Sequence, residues 1–213
     1  VQIMRVSLEN KVQLARDRLQ RRLICDLLVR SAVAYRAVPN NVRVVDDLPT
    51  RFDVWHQIEG KAPWAQFDQR FDFRPSYHES EEPAIRLVPG CLVIDLAPIF
   101  QRDTRGFAAD EDFLDATAFQ AFADLVSEGE IIALDWQHPA YRYSPCSQVA
   151  SQADPAVPVF PNGDYYAHMT IDLRWGTFGH PWQQTLTVWG EELVTRLGSE
   201  LLTWLPRHRQ TLA

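Results

Sequence analysis

Cysteine is scarce in this chain. Three occur in 213 residues, Cys25, Cys91 and Cys146, an odd number with no CxxC spacing. That excludes a disulfide framework and argues against a zinc knuckle or redox dithiol; free thiols in a reducing cytoplasm are the expectation. Lysine is scarcer still, at Lys11 and Lys61 alone. The resulting arginine bias carries no chemistry of its own. No segment approaches the roughly 18 consecutive apolar residues of a membrane-spanning helix, so no membrane anchor is expected. The first residues lack the apolar core and small-residue cleavage site of a secretory signal, so the expected location is cytoplasmic. Phosphate-cradling loops of the GxxxxGK[ST] or GxGxxG kind are missing, as are a GxSxG elbow and any HxH, HxxxH or HExxH spacing. No nucleotide cofactor, serine nucleophile or metal ligand set is therefore expected, and the cysteines have no local partner that would form a thiolate.

What is present is the composition of a globular protein, 46% hydrophobic and 23% charged. The net charge of −7 is unevenly spread: residues 1–51 hold ten basic and five acidic side chains, which leaves −12 on the rest. A basic leader can bind nucleic acid, but the acidic body repels a phosphate backbone and no interleaving of basic and aromatic residues supports it. Nucleic acid is not an expected partner.

Residues 1–40 form the first expected unit, an amphipathic helix. Leu8, Val12, Ala15, Leu19, Leu23 and Leu27 recur at three-and-four spacing, with Gln13, Arg16, Asp17, Gln20 and Arg21 opposite. Pro39 and Asn40-Asn41 end it. Such a stripe must be covered, and a homodimer through this helix is one solution beside docking on the body.

Residues 41–213 read as one α+β domain with a mostly antiparallel sheet of about five to six strands packed by helices. Short helices are expected over 51–58 and 63–71 and an acidic helix over 110–128. A final helix over 191–205 has Glu191 and Glu192 in its first turn. Strands are expected over 92–100, 131–137, 141–143, 157–160 and 184–189. The clearest runs from Asp164 to Trp175, where Tyr165, Met169 and Leu173 alternate with His168, Asp172 and Arg174. This pattern predicts a core face and an accessible polar face. Neighbouring strands with connections too short for helical crossovers make the sheet antiparallel.

Two regions concentrate aromatics, turn formers and ionisable groups. One is LDWQHPAY, residues 134–141; the other is FPNGDYY, residues 160–166, continued by GTFGHPW, residues 176–182. His138 and His180 each precede a proline. A neutral imidazole there could serve as a general base, with Asp135 or Asp164 orienting its other nitrogen. Equally, both rings could brace turns through backbone carbonyls. A metal site would require folding to gather His138, His180 and a carboxylate, whereas His168 and Asp172 on one strand lie roughly 13 Å apart. Trp136, Tyr141, Asp164, Tyr166 and Trp182 are the candidate ligand-binding residues, the aromatics as walls around an organic ligand.

The runs LDWQHPAYRY, VFPNGDYY and GTFGHPW, in that order and leading into TLTVWGEEL, resemble a bacterial family of uncharacterised proteins, domain of unknown function twenty-seven sixteen. The resemblance spans roughly residues 64–205 and is most specific over 134–190. Matching positions include Asp135, Trp136, His138, Tyr141, Asp164, Tyr165, His180 and Trp182; His168 departs from the pattern, and the basic N-terminal arm lies outside it. The resemblance implies an architecture and candidate positions, without a reaction. Two functions follow from the residues. One is a non-catalytic domain that binds a small molecule or a protein around the DWQH and GHPW motifs. The other is a small hydrolase- or isomerase-like enzyme using His138 and His180 with Asp135 as acid and base.

Overall fold

The computed structural model describes residues 54–76 and 82–209. The helix expected over residues 1–40, and the dimer face assigned to it, lie outside the described residues. The described elements, in chain order, are β1 (Trp55–Ile58), α1 (Ala62–Phe71), β2 (Leu92–Asp95), α2 (Ala97–Phe100) and α3 (Thr104–Leu125). They continue with β3 (Ile131–Asp135), β4 (Ala140–Tyr143), α4 (Pro145–Ser151), β5 (Tyr166–Met169), β6 (Gly176–His180) and β7 (Thr185–Trp189). A final helical rod comprises α5 (Glu191–Leu193), a π-helical turn (Val194–Gly198) and α6 (Ser199–Leu201).

The seven strands form one sheet in the order β1-β4-β3-β5-β6-β7-β2, and every neighbouring pair is antiparallel. The class is α+β, as the sequence predicts, with one strand more than expected. Helices cover both faces. Leu114, Ala118, Ala121 and Phe122 of α3, with Leu193, Leu197 and Leu201 of the final rod, pack on Ile94, Ile131, Ala133, Tyr143 and Val188. On the other face Phe67 and Phe71 of α1 pack on Ile132, Leu134, Ala167, Met169, Phe178 and Trp189. No described helix is long and apolar enough to cross a membrane.

Burial on both faces explains the largest corrections to the sequence reading. Of the strand expected over 164–175 only β5 (Tyr166–Met169) forms; residues 170–175 make a tight turn into β6. Thr170 and Trp175 are bonded through N–H to carbonyl, and Leu173 sits at φ 58°. The face expected to be accessible is not. Asp164, His168 and Thr170 are buried; only Asp172 and Arg174, both in the turn, are exposed. Tyr165 and Met169 are core, as expected, whereas Leu173 is half-buried. Alternation signals an exposed polar face only when one side of the sheet meets water; here α3 covers it.

Other differences have local causes. The helix expected over 51–58 is strand β1 from Trp55, paired with β4 and fixed by Trp55 stacked on Tyr143 at 4.0 Å between ring centroids. The strand expected over 92–100 stops at Asp95, whose side chain accepts from the Ala97 N–H, and continues as helix α2. The strand expected over 157–160 is irregular. Its Val159 and Phe160 N–H groups donate to the Asp115 carboxylate at 3.0 and 2.7 Å instead of to a neighbouring strand. The polar stretch after Tyr143 is helix α4, capped by Ser144 with Pro145 in its first turn. Helix α3 begins earlier than expected, at Thr104, because Asp103 accepts from the Gly106 N–H at 2.8 Å. The final helix ends at Leu201 rather than Leu205. Gly190, at φ 85°, carries the chain from β7 into that helix so close to Trp175 that a Cβ would collide with it.

A buried polar network crosses the core. The His168 Nε2–H donates to the Pro158 carbonyl at 3.1 Å, and its Nδ1 accepts from the Tyr143 hydroxyl at 2.9 Å. A carbonyl can only accept, which fixes the tautomer. Phe122 stacks on this imidazole and Phe119 meets it edge-on. Burial pushes its pKa down to about 4, so the ring stays neutral.

Candidate functional site

β3 ends at Asp135, and the chain then turns through Trp136, Gln137 and His138, with the His138 N–H donating to the Asp135 carbonyl at 3.3 Å. β5 starts beside it, since Asp135 pairs with Tyr166. The segment Asn162-Gly163-Asp164 leads into that strand, and Gly163 at φ 97° makes the turn possible. Backbone pairing therefore places Asp164 against the DWQH turn, where the Trp136 N–H donates to the Tyr165 carbonyl at 3.2 Å.

Three side chains meet at this rim. His138 Nδ1 lies 2.8 Å from Asp135 Oδ1, and one donor atom each from Asp135, His138 and Asp164 fall within 4.8 Å of one another. Asp135 and Asp164 are buried residues, and the Asp135 side chain is 12% exposed against 65% for that of His138. The imidazole thus forms a water-facing lip beside the two buried acids.

The electrostatics match that description. The hydrogen bond to the Asp135 carboxylate, and then its charge, hold the His138 pKa above its ordinary value, with a smaller contribution from Asp164. Burial raises the Asp164 pKa and the Asp135 charge raises it further, opposed by donation from the backbone of Tyr165 and Gln137 and by the imidazole. Tyr166 is half-buried nearby; burial and the charges of Asp135, Asp164, Glu111 and Asp115 push its phenol up to about 12. Burial also raises Glu111, which accepts from Asn162 Nδ2 at 2.9 Å. Four acids, Asp135, Asp164, Glu111 and Asp115, thus act together on Tyr166 at this end of the sheet.

His180 occupies a different environment. It is buried, its Nε2–H donates to the Glu82 carbonyl at 3.0 Å, and its Nδ1 accepts from the Gln183 N–H at 3.0 Å. Both nitrogens are committed to backbone groups, and burial lowers its pKa. This ring clamps the turn after β6 to the segment at Glu82. It is not among the groups gathered with Asp135, His138 and Asp164.

The aromatic candidates divide between the two faces. Trp136 and Trp182 flank Tyr165 with ring centroids 5.4 and 5.0 Å away, in the layer covered by α1. Tyr141 and Tyr166 pack on the opposite face, under α3. They do not wall one cavity. The sequence reading gives Glu111 and Asp115 no role and takes Asn162 only as a turn former. The signal was available: Glu111 and Asp115 are four apart and flank the core residue Leu114, so α3 turns both acids toward the sheet rather than to solvent.

Comparison with known proteins agrees with the motifs. The profile of the family described as "Protein of unknown function (DUF2716)" matches residues 55–194, which contain every candidate residue above. Uncharacterized protein YxiI of Bacillus subtilis (strain 168) is 37% identical over 101 residues, 46% of this chain. The match spans 60% of that relative's length. No solved structure matches. The motifs around Asp135, Asp164 and His180 thus sit inside a matched region covering most of the sheet, and the chain belongs to the DUF2716 family.

Proposed function

We propose that this chain is a non-catalytic ligand-binding α+β domain whose recognition site is the rim formed by Asp135, His138 and Asp164, and that its ligand carries positive charge. The observation that carries the reading is the pair of buried aspartates converging on one exposed imidazole. Among the described residues no lysine or arginine forms an ion pair with either carboxylate. His138 is the cationic partner of Asp135, while Asp164 has backbone donors and no cation of its own among the described residues, so a cationic ligand would complete the set. The two-histidine enzyme has less support, because His180 is buried with both nitrogens engaged by backbone. The Asp135–His138 pair favours acid–base work by His138 alone as the second reading.

Thermal unfolding of the full chain across a panel of cations (spermidine, arginine, magnesium, calcium and zinc) tests this. A ligand at a hundred times its Kd stabilises by about 2.7 kcal/mol, which raises Tm by several degrees. At least one cation should do so, and Asp164→Asn should abolish the shift. An unmoved Tm across the whole panel, or shifts equal in the variant, would contradict the reading.

A further inference from the structure

We propose that the rim holds one divalent transition-metal ion of the zinc class, with Asp135, His138 and Asp164 as its protein ligands. This rests on the cation-binding reading and names the cation.

The donor set comes from three places in the chain that only folding unites: the end of β3, the turn after it and the approach to β5. The spacings 135, 138 and 164 correspond to no metal motif, yet the three donor atoms lie within 4.8 Å. Ligand bonds to zinc run about 2.0–2.2 Å for imidazole nitrogen and carboxylate oxygen, which puts neighbouring donors roughly 3.4 Å apart around a tetrahedral ion. His138 Nδ1 and Asp135 Oδ1, now 2.8 Å apart across a shared proton, need to part by only a fraction of an ångström for an ion to replace that proton. The three donors span up to 4.8 Å, so closing to tetrahedral spacing also draws in Asp164, which sits in the turn before β5, by up to about 1.4 Å.

Charge and donor type select the ion. Two carboxylates with a neutral imidazole carry −2, which a divalent cation cancels. Calcium and magnesium prefer oxygen throughout, so the nitrogen donor at the accessible position favours the zinc class. Three protein ligands at a rim facing water leave room for a water or a ligand's own donor in the fourth position.

Isothermal titration of the full chain with zinc chloride, beside magnesium and calcium, decides the matter. One zinc per chain is expected, tighter than either alkaline-earth ion. His138→Ala alters an exposed side chain, with circular dichroism checking its fold; losing a direct ligand should weaken zinc by at least the roughly hundredfold that loss of a ligand's supporting partner can cost. His56→Ala and His208→Ala, which alter histidines outside the cluster, should not. Asp164→Asn should also remove the site, with circular dichroism confirming its fold. Zinc-edge X-ray absorption of the complex should show one imidazole and oxygen donors without sulfur. Zinc binding unchanged by His138→Ala, or sulfur in the coordination shell, overturns the proposal. Protection by spermidine or arginine but not by zinc overturns it and leaves the cation-binding reading standing. Protection by no cation at all overturns both.

Discussion

Asp115→Ala should destabilise the fold by about 2–4 kcal/mol in urea unfolding, whereas Asp115→Asn should fold with most of its stability intact. The Asp115 Oδ1 atom accepts from the Val159 and Phe160 N–H groups at 3.0 and 2.7 Å, and it holds a segment that forms no strand. Truncation leaves two donors unmet, and each buried unsatisfied group costs about 1–3 kcal/mol. Asparagine keeps an acceptor oxygen at the same place and removes the buried charge.

The two variants also differ in pH dependence. Burial pushes the Asp115 carboxyl up to about 7, against the pull of its two backbone donors and with help from the charges of Glu111 and Asp112. Unfolded, the same carboxyl titrates near its ordinary value of about 4. The folded chain therefore holds this proton more tightly. Its stabilisation is full below about pH 4 and is lost as pH rises through about 7, by on the order of 4 kcal/mol.

His168→Phe should cost about 2–4 kcal/mol, because it strands the Tyr143 hydroxyl and the Pro158 carbonyl inside the core. It should also change the shape of the pH profile in the opposite sense from Asp115→Asn. The buried imidazole titrates at about 4 when folded, against about 6.5 when unfolded. Its contribution is full above about pH 6.5 and is lost as pH falls through about 4, by on the order of 3 kcal/mol. In the natural chain these two groups oppose each other across nearly the same window. Asp115→Asn should expose the histidine slope, with stability dropping from pH 6.5 to 4. His168→Phe should expose the aspartate slope, with stability climbing from pH 7 to 4. Urea midpoints at half-unit intervals would check both; parallel profiles for the two variants would refute the assignment.

The sequence made some of this legible and hid the rest for identifiable reasons. Helix α1, strands β3, β4 and β7, and the antiparallel α+β class follow from periodicity and turn signals, because those elements meet their expected surroundings. β1 could not be read, since its four residues become a strand only through pairing with β4 and the stacking of Trp55 on Tyr143. The polar residues of β5 misled for a similar reason. His168 alternates as a solvent-facing residue would, but it is a core residue with both nitrogens satisfied by groups 10 and 25 positions away. The DWQH, NGD and GHPW segments stood out by residue type, and backbone pairing unites the first two. That His180 is spent on bracing was invisible in sequence, because its two partners are main-chain atoms, which leave no signature in residue identity.

Amide and side-chain NMR of the isotopically labelled full chain, titrated with zinc chloride and separately with spermidine, measures the location of cation binding most directly. Resonances of Trp136 through His138 and of Asp164 through Tyr166 should move first and furthest, together with the His138 imidazole. The His180 ring and the groups around Asp172 and Arg174 should stay in place. Saturable shifts centred anywhere else, or none at this rim with either cation, would contradict the assignment of Asp135, His138 and Asp164 as the binding site.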